Sequence, residues 1–275
     1  MTTLYELTKR IHLKLHDPKK GTATSGDTDT IIDTTMINAE SDDYYNGGTI
    51  FVENGNNAAT SDEITDWDQS AYAFSLRTTA SGAYAAGDRY LAFTDDYTRD
   101  EVIQALNEAI NELPPIVKQD VSTPSVADQM YYDFPTNGWE VVGVELATST
   151  SSPYNYVPIY TYKLINDGTN DQIAFEEGTQ PQHAGYIIRI SYKDYPDEIN
   201  VDTDTLHDWY DADWVAWEAA VRALAWKLAA LGGQDQFIIA KHAEAEQKAT
   251  AKRLKHSKKI PSILQAPTLG GWAGV

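Results

Sequence analysis

The sequence predicts an α+β protein, in which a helical bundle carries an antiparallel β layer and an inserted small β-barrel or β-sandwich module. Two patterns support this class. Apolar residues recur at helical spacing near the N-terminus, in the middle of the chain and across the C-terminal quarter. Short alternating stretches bounded by Gly and Asn fill the two intervals between these helices. A third pattern, an apolar C-terminal stretch without periodicity, predicts an extended arm.

Two of the helices begin at capping boxes, where a Thr caps the helix and a Glu three residues later caps the Thr in return. The boxes are Thr3-x-x-Glu6, which opens a helix that we expect to end at Leu15, and Thr98-x-x-Glu101, which opens one that ends at Leu113. Pro114 and Pro115 stop the second helix.

The C-terminal quarter predicts a long helix pair. In the first helix of the pair, apolar residues at steps of three and four place one stripe on a single face. Gly232 and Gly233 interrupt the pattern, and a second helix is predicted from about Gln234 to Lys258. The stripe consists of Trp214, Trp217, Val221, Leu224, Leu228 and Leu231.

The strands fall into two groups. In the inserted module they are predicted at Thr30–Asp33, Gly48–Val52, Glu63–Trp67, Ala73–Leu76 and Arg89–Phe93. In the β layer they are predicted at Trp139–Leu146, Tyr156–Ile165, Gln172–Phe175 and Gly185–Tyr192. We therefore divide the chain into a helical core (1–20, 95–118 and 205–259), the inserted β module (21–94), the β layer (119–204) and the C-terminal arm (260–275).

Composition excludes several classes of protein. The chain has 275 residues and no cysteine, which excludes disulfides, thiolate metal sites and cysteine nucleophiles. A hydrophobic fraction of 42% is too high for general disorder. No uncharged apolar run approaches the roughly 20 residues that span a bilayer, and the charged residues near the N-terminus do not resemble a secretory signal. We expect a folded, soluble protein with no membrane partner.

The charge is unevenly distributed. The net charge of −20 argues against a surface that wraps nucleic acid by neutralising phosphates. Residues 241–259 nevertheless carry +5, whereas residues 1–240 carry −25. We interpret this basic contact segment as a helix end that suits the helix dipole, or as a contact with an acidic neighbour, in preference to a DNA site. Its residues are Lys248, Lys252, Arg253, Lys255, Lys258 and Lys259.

The residues that follow carry no charge at all. An uncharged segment with large apolar side chains is unfavourable in water, so we expect 260–275 to bury itself on a partner, either another protein or a neighbouring subunit. Its anchors are Ile260, Ile263, Leu264, Leu269 and Trp272. Trp214, Trp217 and Trp226 are interpreted as core or intersubunit contacts of the preceding helix.

No catalytic signature is present. The sequence lacks a G-x-G-x-x-G loop, a G-x-x-x-x-G-K-[ST] loop, a G-x-S-x-G elbow and an H-E-x-x-H helix. His12 and His16 have the spacing of a metal-ligand pair, but we interpret them as surface histidines. We expect no enzyme activity, metal or cofactor.

Two further clusters have both a functional and a structural interpretation. Asp202, Asp204, Asp208, Asp211 and Asp213 could hold Ca²⁺, although their spacing fits no EF-hand loop and favours helix-start and surface roles. Tyr154, Tyr156, Tyr160 and Tyr162 could form a sugar-binding strip, but cross-strand packing is the preferred interpretation. The alternative function that these clusters leave open is a carbohydrate-binding or glycan-degrading β protein.

The order of elements resembles the head-to-tail connector, or adaptor, proteins of tailed bacteriophages. The likeness is in the order of the elements and the kinds of residue they contain, and it covers most of the chain. The stretches that carry it are a small β module (Thr28–Asp33, Asp42–Ile50, Ile64–Trp67 and Ala86–Tyr90), the helix from Thr98 to Leu113, and the strand Gly185–Tyr192 followed by the Ala/Trp/Leu-rich helix.

The resemblance implies a non-enzymatic virion protein in the neck, between capsid and tail, that assembles in the host cytoplasm. Adaptors form twelve-subunit rings beneath the portal, contact a tail or stopper protein, and let genomic DNA pass without sequence-specific binding. It also implies that the C-terminal arm reaches the portal or a neighbour. This chain departs from the smallest adaptors in its β insertion. A stopper or tail-completion protein of the neck is a second alternative.

Overall fold

The computed structural model describes residues 1–36, 39–133, 140–166 and 171–257. This part of the chain is α+β with four helices and several antiparallel sheets, which confirms the predicted class. The helices are α1 (Leu4–Leu15), α2 (Arg99–Asn111), α3 (Ala212–Ala230) and α4 (Gln236–Ser257). Both predicted Thr caps are present, but only Thr98 forms the reciprocal capping box with Glu101. Thr3 accepts from the Glu6 amide, and no return bond from Glu6 is found in the described residues.

Sixteen strands are found in the described ranges. The first eight are β1 (Thr2–Thr3), β2 (Lys19–Thr22), β3 (Ser25–Gly26), β4 (Thr30–Ile32), β5 (Thr49–Val52), β6 (Thr60–Asp68), β7 (Ala73–Leu76) and β8 (Arg89–Phe93). The others are β9 (Ile116–Pro124), β10 (Tyr131–Asp133), β11 (Glu140–Ala147), β12 (Tyr156–Ile159), β13 (Tyr162–Asn166), β14 (Asp171–Phe175), β15 (Ile187–Asp194) and β16 (Thr205–Leu206).

The chain divides into two compact units. The first, called the helical unit here, contains Met1–Glu112 and the chain from Asp197 through α4. The second, called the β unit, contains Leu113–Pro196. The helical unit therefore includes all four helices and the strands from β1 to β8, and its two parts are separated in sequence by the whole β unit.

A curled half-barrel of seven strands forms the β part of the helical unit. The strand order is β2-β8-β5-β6-β7-β4-β3, and every neighbouring pair is antiparallel. Trp67 and Phe74 pack at its centre with their rings 4.4 Å apart. Asp33 is also buried, and it accepts hydrogen bonds from the Tyr90 hydroxyl at 2.9 Å and from the Thr35 hydroxyl at 2.6 Å. These bonds satisfy a carboxylate that would otherwise be costly to bury.

Helix α1 packs against both the sheet and the other helices. Leu4, Leu7 and Ile11 are fully buried, and α1 contacts α2 and α3. On the sheet side, the ring of Tyr5 lies edge-on to Phe51 of β5, and its hydroxyl donates to the Val52 carbonyl at 2.8 Å. Helix α3 in turn contacts α1, α2 and α4.

The β unit contains two antiparallel sheets, with strand orders β12-β11-β15-β9 and β10-β14-β13. Their shared apolar core consists of Tyr132, Val144, Ile173, Phe175, Ile188 and Ile190. One prediction here was wrong: Tyr156–Ile165 is not a single strand. It forms β12, which pairs with β11, and β13, which pairs with β14 in the other sheet.

The predicted apolar stripe of α3 is buried only in part. Trp214 and Leu224 are buried, but Leu231 is exposed and Trp217, Val221 and Leu228 are only half-buried. The most deeply buried positions of the helix are small, since Ala216, Ala219 and Ala220 have no exposed surface. Small residues let the backbones of packed helices approach closely, and Trp217, Val221 and Leu228 are left nearer the surface.

The interpretation of His12 as a surface residue was wrong. Its ring is fully buried, with centroids 5.3 Å from Phe51 and 5.0 Å from Phe93, and its Nε2 has no hydrogen-bond partner in the described part of the chain. Its Nδ1 lies 3.4 Å from Nε2 of the half-buried His16. Burial lowers the pKa of His12, and it lowers the pKa of His16 to about 4 against the opposing charge of Asp96. Both rings are therefore neutral at pH 7.

We expect the folded state to lose stability as the pH falls from 7 to 5. The unfolded histidines take up protons near pH 6.5 while the folded ones do not, so stability is complete above that pH and is lost as the pH falls toward the folded pKa values. His12→Leu removes one such group and should flatten the slope by up to about 1.4 kcal/mol per pH unit. Urea unfolding at several pH values measures this slope. The exposed His183, replaced by Gln, is the control, and an unchanged slope in His12→Leu would contradict the prediction.

Candidate functional site

The C-terminal helices hold the described residues that the sequence singled out for partner contact. Asp211 caps α3 by accepting from the amides of Asp213 and Trp214, and its charge suits the positive end of the helix dipole. Gly232 and Gly233 follow α3 with φ values of 69° and 74°, which L side chains adopt only with strain. This turn lets α4 pack back against α3.

The predicted tryptophans differ in burial. Trp214 is 4% exposed, donates from its indole nitrogen to Glu218 at 2.9 Å, and stacks on the ring of His256 with centroids 4.9 Å apart. It is therefore a core contact between α3 and α4. Trp217 is half-buried with the Lys14 ammonium 4.5 Å above its ring, and Trp226 is half-buried.

Asp213 forms the charged centre of these helices. Its two carboxylate oxygens accept from Lys14 of α1 at 2.8 Å and from Lys252 of α4 at 2.5 Å. Partial burial acts to raise the pKa of Asp213, but the hydrogen bonds from the two lysines outweigh it and hold that pKa below its usual range. Asp213 thus links α1, α3 and α4. Lys252 of the basic contact segment therefore forms an ion pair within the subunit and is not available to a partner.

The rest of the basic contact segment faces outward. Lys248, Arg253 and Lys255 are exposed on α4, and within the described ranges no ion pair is found for them. Lys258 and Lys259 lie outside the described residues, as do Ile260, Ile263, Leu264, Leu269 and Trp272 of the predicted arm. Outward-facing cations on an otherwise acidic chain are available to an acidic partner.

An open groove of 660 Å³ runs between α3 and α4. Its apolar lining includes Val221 of α3 with Ala243, Ala251 and Leu254 of α4. Leu254 is 59% exposed at this groove. Sequence reasoning missed this groove, because the side chains that line it come from two helices and only their packing brings them together.

The acidic residues 202–213 do not converge on a cation site. Asp202 accepts hydrogen bonds from Arg99 of α2 at 3.0 Å and from Ser61 of β6. These bonds link α2 to β6. Asp204 accepts from the amides of Asn200 and Val201, and Asp208 pairs with the Met1 amino group. In the part of the chain that is described, no three His, Asp or Glu side chains are grouped to hold a metal ion.

The tyrosines of the β unit do not form one strip. The Tyr156 ring is covered by the Arg189 guanidinium at 3.9 Å, and Tyr162 packs against the apolar core. Tyr160, in contrast, is 82% exposed and lies between the two strands. The four side chains therefore have separate roles, and the geometry brings only Tyr154 and Tyr156 together, with ring centroids 6.1 Å apart.

Comparison of the sequence with models of known protein families and with curated proteins finds no match. Within the described ranges, no helix has both the length and the apolar character needed to cross a membrane.

Asp213→Asn should destabilise the helical unit by about 1 kcal/mol, because it removes both ion pairs while leaving a hydrogen-bonding amide. Urea unfolding at low and high salt measures this loss, which salt should reduce. Asp95→Asn is the matched control, since Asp95 is exposed and has no ion pair or side-chain hydrogen bond in the described part of the chain. An equal loss in both variants would contradict the role of Asp213.

Proposed function

We propose that this chain is a non-enzymatic structural protein of a tailed-phage virion, the head-to-tail adaptor of the neck. In this proposal twelve copies form a ring that joins the portal to the tail, and genomic DNA passes through it without sequence-specific binding. The observation that carries the proposal is the order of elements: α1, an inserted β module, α2, a second set of strands, and then the helix pair α3 and α4. This order is the one on which the resemblance to adaptors rests.

The packing of the helices supports a ring subunit. Helix α3 contacts the other three helices, and in the proposed role they form one bundle around it. Such a bundle is a rigid body that can stand beside identical bundles in a ring. The exposed cations of α4 and the acidic remainder of the chain are opposite in sign, which favours contact between unlike faces of neighbouring copies.

The residues offer little support for an enzyme. Asp202, Asp211 and Asp213 are engaged in a helix cap and in ion pairs. Of the two histidines, His12 is buried and His16 is half-buried. A glycan-degrading enzyme needs two carboxyl groups about 5–10 Å apart in a cleft open to substrate. Tyr154 and Tyr156 alone support the glycan-binding alternative, and the Arg189 guanidinium covers one face of Tyr156.

Negative-stain electron microscopy of the full chain, alone and with the portal protein of the same virion, tests this proposal. We expect twelve-fold rings that bind the portal. Binding should weaken as salt rises if the basic contact segment takes part. A monomer that does not bind the portal at any concentration would contradict the proposal. Binding to a glycan array would also contradict it. Rings that bind a tail protein but not the portal would indicate a stopper instead.

A further inference from the structure

Asn-Gly pairs are the positions of a protein chain where an asparagine side chain is most easily attacked by its own backbone. The glycine nitrogen can approach the side-chain carbonyl carbon of the Asn, because no side chain on the glycine hinders it. The pairs in this sequence are at 46–47, 54–55 and 137–138. The third lies outside the described residues, and the first two lie in the curled half-barrel in different surroundings.

The first pair is protected by the fold. The Gly47 amide, which would have to attack, donates to the Ile64 carbonyl at 2.8 Å. The side chain of Asn46 is held at both ends, since Oδ1 accepts from the Trp67 amide at 2.6 Å and Nδ2 donates to Asp43 at 2.7 Å. Several of these hydrogen bonds would have to break before a ring could form, and each break has a cost.

The second pair has a free nucleophile. Gly55 is exposed, and within the described ranges its amide donates no hydrogen bond. Its φ of 89° is a conformation that glycine adopts without strain. The nitrogen of Gly55 can therefore move toward the Asn54 side chain without first breaking a bond to another strand.

The carbonyl of Asn54 is also polarised for attack. Its Oδ1 accepts from the Arg89 amide at 2.5 Å, and its Nδ2 donates to the Gly87 carbonyl at 3.3 Å. Negative charge develops on Oδ1 during the attack, and a backbone N–H directed at that atom stabilises the charge. The Trp67 amide could do the same for Asn46, so the two sites differ in the nucleophile and in what surrounds it.

A buried carboxyl group completes the second site. Asp88 packs so closely on Gly55 that a Cβ built on this glycine would lie 2.0 Å from Oδ1 of Asp88. The other carboxyl oxygen, Oδ2, accepts from the Ala85 amide at 3.0 Å, which holds the group in place. A carboxylate beside the nucleophile can take its proton as the bond forms. The same construction on Gly47 meets only the Cβ of Asp95 within 4 Å in the described part of the chain.

We propose that Asn54 is a modification site, at which the fold assists conversion of the side-chain amide to a carboxylate through a cyclic succinimide. The Gly55 nitrogen bonds to Cγ of Asn54 while its proton passes to Asp88. The bond from Cγ to Nδ2 then breaks, and Nδ2 leaves as ammonia with that proton. Water adds to either ring carbonyl and opens the ring to Asp or isoAsp, so one water is consumed and one ammonia is released. This inference does not depend on the adaptor function.

The product changes the end of β5. A carboxylate at position 54 cannot donate to the Gly87 carbonyl, and it adds a negative charge close to Asp88. The isoAsp form also lengthens the main chain by one carbon, directly after the strand that pairs with β8. Modified copies can therefore be separated from unmodified ones by ion exchange.

Peptide mass spectrometry of the full-length chain tests the proposal. After incubation in mildly alkaline buffer and digestion at acidic pH, we expect the amide of Asn54 to convert at least fivefold faster than that of Asn46. In urea the two rates should become similar, because both residues precede glycine and only the fold separates them. Equal rates in the folded chain would overturn the proposal, and so would a rate ratio that urea leaves unchanged.

The products and one variant test the route. Opening of a succinimide gives both Asp and isoAsp at position 54, whereas Asp alone would show direct hydrolysis and overturn the proposed route. Asp88→Asn should slow the conversion of Asn54 at least threefold and leave that of Asn46 unchanged. The matched control is Asp66→Asn, since Asp66 is an exposed acid of β6 in the same half-barrel. Circular dichroism confirms that both variants are folded, and an equal rate at Asn54 in both would overturn the role of Asp88.

Discussion

The burial of α1 is the constraint on which the helical unit depends. One face of α1 packs on α2 and α3, and another packs on β5 and β8. Leu4, Leu7 and Ile11 each have no exposed surface. Burial of this kind supplies most of the stability of a short helix, since isolated helices of this length are marginal in water. The same burial explains why His12 is neutral and why Lys14 finds its partner in α3.

Local signals made much of this fold predictable. The Thr-x-x-Glu motifs at Thr3 and Thr98 located the starts of α1 and α2. Short apolar stretches next to Gly- and Asn-containing turns located strands such as β5 and β8. Signals that depend on tertiary packing were not predictable. The break between β12 and β13 separates strands of different sheets, and no Gly or Asn marks it. The burial of His12 depends on Phe51 and Phe93, which are distant in sequence, and the groove depends on two helices at once.

The distribution of charge has a structural counterpart. Lys252 neutralises Asp213 within the subunit, whereas Lys248, Arg253 and Lys255 remain exposed on the same helix. The sequence could identify the basic contact segment as a whole, but only the helical phase of α4 separates the cation that stabilises the fold from those that are free for a partner. The groove lies on this same helix, which brings the apolar and the charged parts of the candidate interface together.

The pairing of α1 with α3 has a consequence for synthesis. Lys14 and Asp213 are 199 residues apart in sequence. At translation rates of about 5–20 residues per second, α1 is therefore synthesised on the order of 10–40 seconds before α3. Tyr5 and His12 meet Phe51 and Phe93 much sooner. We expect the curled sheet to shelter the apolar side chains of α1 on the nascent chain, which gives the inserted β module a role in folding as well as in the finished subunit.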